Sequence, residues 1–422
     1  MTSNLLSKYE KILNNILSLF ILQGLNYILP LITVPYLVRI LGPKNYGVII
    51  FANAFITYFQ IITDYGFNMS ATRNISINKG NSEKLNKIFS SVMVIKFILT
   101  IVGFVCLLIL VFSINFFKGD YKVYIFAYGT VIGNSLFSIW FFQGVEQMKY
   151  ITIINIIGKT FFTLLTLLFV KNPSDYLTVI YLNSISYILI GTISLFIIFN
   201  KFKIKFVKCT YDIIKKELKD GWYIFTTSFL TTILTTTGTF ILGLFGNKEI
   251  VGYYGAMDKI VKLMVSMFSP ITQAIFPHVV DIFKKSFYDG EKEVIKFAKI
   301  VMTFTTIMCI IVFLFNKNII YFLYGNKYND YSYILKYMTP WMFLSILNNF
   351  IGAQYLIGSG NGKYYSKAFI ICAITTLILF FILIKAMSFK AIIIGSNLGE
   401  LMLTLVMIYY IKFRIKNNSS LL

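Results

Sequence analysis

Charge is scarce in this sequence, and most of it has one sign. Only 13% of the 422 residues are Asp, Glu, Lys or Arg, against about a quarter for a soluble domain of this length, which excludes a water-facing globular fold. Cysteine and histidine are equally sparse, with four of the first and one of the second. Cys106, Cys309 and Cys372 fall within apolar runs and Cys209 stands alone in a basic stretch, so no pair has the spacing of a disulfide framework or a zinc site. His278 has no second imidazole to work with and reads as a packed or capping residue. No metal site is expected.

Apolar residues fill the space that charge leaves. They make up 57% of the chain, for a mean hydropathy of +0.74. They are gathered into about a dozen runs of roughly 20 residues, the length that crosses a bilayer as a helix. A backbone in hydrocarbon must satisfy its own hydrogen bonds, so these runs are read as helices and function must arise between them. The expected spans are 15–41, 46–68, 88–112, 121–143, 151–170 and 176–200, followed by 221–245, 250–283, 294–315, 331–357, 364–386 and 391–411. The polar start, Met1 to Asn15, leads into the first run without a small-residue cleavage site, as expected of a retained helix.

The formal net charge of +22 has no soluble face on which to gather, which argues against a nucleic-acid partner. It follows the positive-inside rule instead: with the N-terminus in the cytoplasm, one set of loops holds about 22 Lys and Arg and the other about 9. Both termini are therefore expected in the cytoplasm. The longest basic connector carries Lys201, Lys203, Lys205, Lys208, Lys215, Lys216 and Lys219 and divides the chain into an N-lobe (1–200), a cytoplasmic linker (201–219) and a C-lobe (220–422). The turn Gly42-Pro43-Lys44-Asn45 after the first span has an echo in Gly246-Asn247-Lys248-Glu249 after the seventh, the kind of internal symmetry found in transporters. Pro30, Pro35, Pro270, Pro277 and Pro340 are expected to bend the first, eighth and tenth spans.

Charges inside the spans are the candidate functional groups, because each costs about 2.5 to 3.5 kcal/mol at mid-helix and needs compensation. Lys96, Lys336 and Glu146 lie near enough to span ends to snorkel to the headgroups. Asp258 and Lys262, four apart, share a helical face and should pair, leaving Lys259 to point elsewhere. Arg39, Lys159 and Lys259 are harder to dismiss, and with bases outnumbering acids a shared cavity would be cationic and would select anions. Amides such as Gln60, Gln143, Asn348, Gln354 and Asn397 either bond between helices or face a wet lumen suited to sugar hydroxyls. Every external loop is short, which leaves little room for an enzyme's reactive groups.

Local sequence now carries a resemblance. Pro30-Leu-Ile-Thr-Val-Pro35-Tyr-Leu-Val-Arg39-Ile-Leu-Gly42-Pro43 with Tyr46-Gly47 resembles the first-helix signature of the O-antigen and polysaccharide repeat-unit flippases of the MOP exporter superfamily. Asp64-Tyr-Gly66-Phe67-Asn68, Ala71-Thr72-Arg73, Trp140-Phe-Phe-Gln143-Gly144-Val-Glu146, Val251-Gly252-Tyr253-Tyr254 and Phe276-Pro277 extend it over both halves.

The resemblance implies an all-α polytopic membrane protein of two six-helix lobes, related by a pseudo-two-fold axis and facing each other in a V. It implies an inner-membrane flippase that moves an undecaprenyl-diphosphate-linked oligosaccharide to the periplasmic leaflet by alternating access, with the pathway's polymerase and chain-length regulator as further partners. Arg39, Lys159, Lys259 and Lys262 are the expected substrate contacts, since bidentate Arg and Lys point charges suit a diphosphate. Asp64, Asp258 and Glu400 are the candidates for coupling to a proton or sodium gradient, and no other cofactor is expected. A multidrug antiporter of the same superfamily would call for a carboxylate-rich lumen, and a polysaccharide polymerase or glycosyltransferase for a long external loop or acidic motif. The sequence shows neither feature.

Overall fold

A computed structural model describes residues 2–416, with the side chains of 2–23, 25–27, 234 and 414–416 outside the description. Each of the twelve apolar stretches is helical, and the described residues contain no strand. Among them, nine helices are long and apolar enough to cross a membrane, or ten if one bent pair is a single span.

The first two spans form one continuous run, Thr2–Asp64, interrupted at Gly42. Gly42 has φ 71° and ψ 172°, a conformation that a Cβ would disfavour, and Pro43 then opens the next helix at a position where its missing N–H costs nothing. A second interruption at Tyr65 (φ 44°) and Gly66 (φ 76°) sets off the short helix Phe67–Ile77. The third span, Ser82–Ser113, is capped by Asn81, whose side chain accepts from the Lys84 amide and so satisfies one of the orphan donors of the first turn.

The fourth span is not the single helix expected from its apolar run. It is made of three pieces, Tyr121–Ala127, Gly129–Leu136 and Ile139–Gly144. The fifth and sixth, Met148–Phe169 and Tyr176–Lys201, are whole. The seventh is Tyr211–Phe245. The eighth consists of Lys248–Ser266 and Ser269–Lys285. Pro270 therefore does not bend a helix interior as expected: it stands in the first turn of the second piece, while Pro277 lies within it. The remaining spans are Phe287–Tyr324, Tyr333–Asn348 continued by a π-turn segment Asn349–Ile357, Gly362–Met387 and Phe389–Tyr410. Pro340 is inside the tenth.

The chain divides into two compact units, Met1–Thr236 and Thr237–Leu422. In the first, Phe67, Phe89, Trp140, Phe141, Phe142 and Ile154 are fully buried in one cluster that also takes in Ile204. The start of the seventh span belongs to this unit because it packs tightly against the Tyr65–Gly66 break. An added Cβ on Gly66 would meet the Gly221 carbonyl at 2.8 Å, so only glycine permits that approach. The Tyr65 ring stacks on Phe225 at 5.0 Å, and the Asn74 amide donates to both oxygens of the buried Glu217 at 3.2 and 3.1 Å. The second unit has its own core around Val279, Phe350, Leu356, Ala368 and Met407.

Candidate functional site

In the first unit, the first and fifth spans run side by side in the same direction. The Thr33 and Thr163 hydroxyls hydrogen-bond at 3.0 Å, the Tyr36 hydroxyl donates to the Val170 carbonyl at 2.7 Å, and the Asn45 amide donates to the Pro173 carbonyl at 2.7 Å. This register fixes two of the expected cationic residues. Lys159 lies one turn before Thr163 and Arg39 nearly two turns after Thr33, so at 1.5 Å rise per residue they are about 15 Å apart along the axis. Arg39 is exposed and Lys159 half-buried. They stand at two heights along this helix pair and do not form a single clamp.

Asp64 ends the second span, where the Tyr65–Gly66 break begins. Its Oδ1 accepts from the Lys96 ammonium at 3.0 Å and its Oδ2 from the Asn68 amide at 3.0 Å. The Lys96 side chain is 1% exposed. The expectation that Lys96 snorkels is therefore wrong: its ammonium is buried and turned inward to the Asp64 carboxylate. Glu146 does reach the surface, where it pairs with Lys79 at 2.8 Å. Lys336 is half-buried, with its ammonium 4.3 Å from the centre of the Phe313 ring, a cation–π contact.

In the second unit, Lys262 and Asp258 pair at 2.7 Å, as their spacing required. Lys259, one residue on and so about 100° around the helix, is exposed. Glu400 on the last span is held differently. The Asn348 side-chain amide donates to its carboxylate at 2.6 Å and to its backbone carbonyl at 2.9 Å, and the Thr404 hydroxyl donates to the Asn348 oxygen at 2.7 Å. These partners are neutral, whereas Asp64 and Asp258 each face a lysine. His278, expected to be packed or capping, is instead exposed, 3.8 Å from Glu293.

Several of the amides read as lumen candidates are committed to packing. Gln60 donates to the Thr130 hydroxyl, Gln143 accepts from the Thr72 hydroxyl, Gln354 donates to the Thr272 carbonyl and Asn397 to the Tyr337 carbonyl. Such bonds hold helices together and do not need a wet cavity. Among the described residues no three His, Cys, Asp or Glu side chains gather as a metal site would require.

This helical membrane fold is shared with membrane transporters of known structure. The structure matches the lipid II flippase MurJ in its inward closed conformation with a TM-score of 0.77, over 95% of this chain and 87% of that one, at 14% identity. It matches an inward-facing MATE multidrug resistance transporter with a TM-score of 0.75, over 96% and 99%, at 16% identity.

The chain belongs to the polysaccharide biosynthesis protein family, whose model matches residues 12–283. A protein of Escherichia coli (strain K12) named for O-antigen transport is 29% identical over 371 residues, covering 87% of this chain and 88% of the relative. A Shigella dysenteriae protein of the same name is 30% identical over 268 residues, covering 63% and 66%.

Proposed function

We propose that this protein flips an undecaprenyl-diphosphate-linked oligosaccharide repeat unit from the cytoplasmic to the periplasmic leaflet of the bacterial inner membrane. The match to the polysaccharide biosynthesis family carries the reading. The relatives named for O-antigen transport and the likeness to a lipid II flippase support it. The charge pattern supports it too, since basic groups outnumber acidic ones at membrane depth and Arg39 and Lys259 are exposed. A diphosphate taken unaided through hydrocarbon would cost tens of kcal/mol, and cationic side chains spaced along the route offset that cost. The isoprenoid tail stays in lipid throughout. In a deletion strain the lipid-linked glycan should accumulate on the cytoplasmic leaflet, inaccessible to periplasmic ligase. Single repeat units displayed at the cell surface would instead identify a missing polymerase.

We assign coupling to an ion gradient to Glu400. Asp64 and Asp258 have their counter-charge within the protein, at Lys96 and Lys262. The hydrogen-bond partner of Glu400 is a neutral amide, so its charge must be balanced by an incoming proton or cation. Alternating access driven by a gradient needs a group of this kind, one that is loaded and unloaded. Glu400→Gln, which keeps the shape and an acceptor for Asn348, should slow gradient-driven flipping in proteoliposomes by at least about tenfold while leaving the melting temperature nearly unchanged. An unchanged rate would move the coupling step elsewhere.

A further inference from the structure

The stretch between the sixth and seventh spans is anchored, not free. The Lys205 amide donates to the Asn86 side-chain oxygen at 2.9 Å, and the Val207 amide donates to the Ser90 hydroxyl at 2.9 Å. Ile204 is buried in the core of the first unit. Phe202 packs edge-on against Phe141 and Tyr150, with ring centres 5.3 and 5.7 Å apart. With Phe202 and Ile204 drawn inward, the strap leaves Lys201, Lys203, Lys205 and Lys208 exposed.

Two further features make this face more than a solvated charge run. Lys203 has φ 52°, a left-handed conformation that a non-glycine residue holds only at a cost. Phe206, between the lysines, is 56% exposed although it touches Phe89 and Phe199, with ring centres 6.0 and 6.3 Å apart. At one end the Lys201 and Lys149 ammoniums sit 5.1 and 5.5 Å from the centre of a single ring, Tyr150. Exposed lysines interleaved with an exposed aromatic, fixed to a rigid support, are what a lipid headgroup surface recognises: ammoniums meet phosphates while the ring enters the acyl boundary. A strap made only to be solvated would gain nothing from holding Phe206 out.

We propose that the anchored strap Lys201–Lys208 is a binding surface for anionic phospholipid headgroups of the cytoplasmic leaflet. It seats the first unit at that interface while the rest of the protein changes conformation. It is independent of which glycan is moved.

The test uses the full-length protein, extracted and exchanged into nanodiscs of phosphatidylcholine doped with phosphatidylglycerol, with bound lipid read by native mass spectrometry. The unaltered protein should retain phosphatidylglycerol severalfold over its share of the mixture. The quadruple variant K201Q/K203Q/K205Q/K208Q should lose that enrichment, and the matching four-arginine variant should keep it. Lys203→Gly removes one charge from a backbone position that glycine prefers, so it should fold normally and give an intermediate value. Equal retention by the glutamine variant would overturn the proposal, as would loss of bound lipid on adding millimolar pyrophosphate, which would mark a site for free anions. Normal membrane insertion of the glutamine variant, checked with a C-terminal topology reporter, keeps its lipid result interpretable in either direction.

Discussion

Lys96→Ala should be the most destabilising single change at any charged position within the spans. The substitution leaves the Asp64 carboxylate, itself only 20% exposed, with the Asn68 amide as its remaining donor. Removing one partner of a buried ion pair costs about 3 to 5 kcal/mol, because the remaining charge is desolvated without compensation. That is a large part of the stability of an ordinary domain. The expected result is a steep fall in the amount of folded protein and a melting temperature lowered by many degrees in detergent.

The double variant Asp64→Asn/Lys96→Met separates a structural role from a transport role. It removes both charges, keeps Asn68 a polar partner and fills the stem's volume, so most of the lost stability should return. Surface polysaccharide should return with it. If the double variant folds but does not transport, the pair contacts the substrate or the coupling ion. If Lys96→Ala melts like the unaltered protein, the ion pair is not holding the second and third spans together.

Sequence spacing does contain that pair. Asn78 to Asn81 form the turn between the short helix Phe67–Ile77 and the third span, with Asn81 as the cap. Asp64 stands 14 residues before Asn78 and Lys96 stands 15 after Asn81. Counted along the chain the two are nearly equidistant from the turn, and the Tyr65–Gly66 break after Asp64 leaves that correspondence approximate. Depth measured from the start of the apolar run near Ile88, and not from the polar turn, places Lys96 too close to the headgroups. The helix begins at Ser82, and within it the Lys96 ammonium turns inward to Asp64.

Asp258 with Lys262 is legible because both lie on one helix, where spacing alone fixes the face. Glu400 with Asn348 is not. The two are separated by the whole eleventh span, and helix periodicity says nothing about which neighbour a helix turns towards. The same limit hides the three-piece fourth span, whose apolar content is as continuous as that of its neighbours. Hydropathy measures whether a segment prefers lipid and is blind to local φ and ψ. The positions of the apolar helical stretches depend only on apolar length and polar punctuation, and these are legible along the described residues.

Exposed cations at membrane depth pose a different problem from buried ones. An ammonium at mid-membrane is expensive, so a lysine or arginine kept at the accessible surface of a span calls for a counter-charge. Lys96 shows how the fold balances a cation that it buries: a carboxylate from the neighbouring span meets it, with an amide on the carboxylate's other oxygen. Arg39 and Lys259 stand at the accessible surface instead, and Arg39 has further contacts of its own within the protein. For Lys259 the adjacent carboxylate, Asp258, is already engaged by Lys262. On the proposed function each of them is a candidate contact for the substrate's diphosphate.

Reversing either charge should therefore abolish surface polysaccharide without lowering protein level. Two unit charges 4 Å apart interact by about 4 kcal/mol at an effective dielectric of 20, so Arg39→Glu or Lys259→Glu replaces an attraction of that order with an equal repulsion. A change of that size is worth more than a hundredfold in rate, about 1.4 kcal/mol being tenfold, and cell-surface glycan should become undetectable by immunoblot. Arg39→Lys keeps the charge but not the fork that grips a diphosphate in two places, and should retain partial activity. Neither reversal touches the cores around Phe89 or Phe350, so the membrane-inserted amount should stay normal. Full-length glycan with either reversed charge would show that no anion passes these side chains.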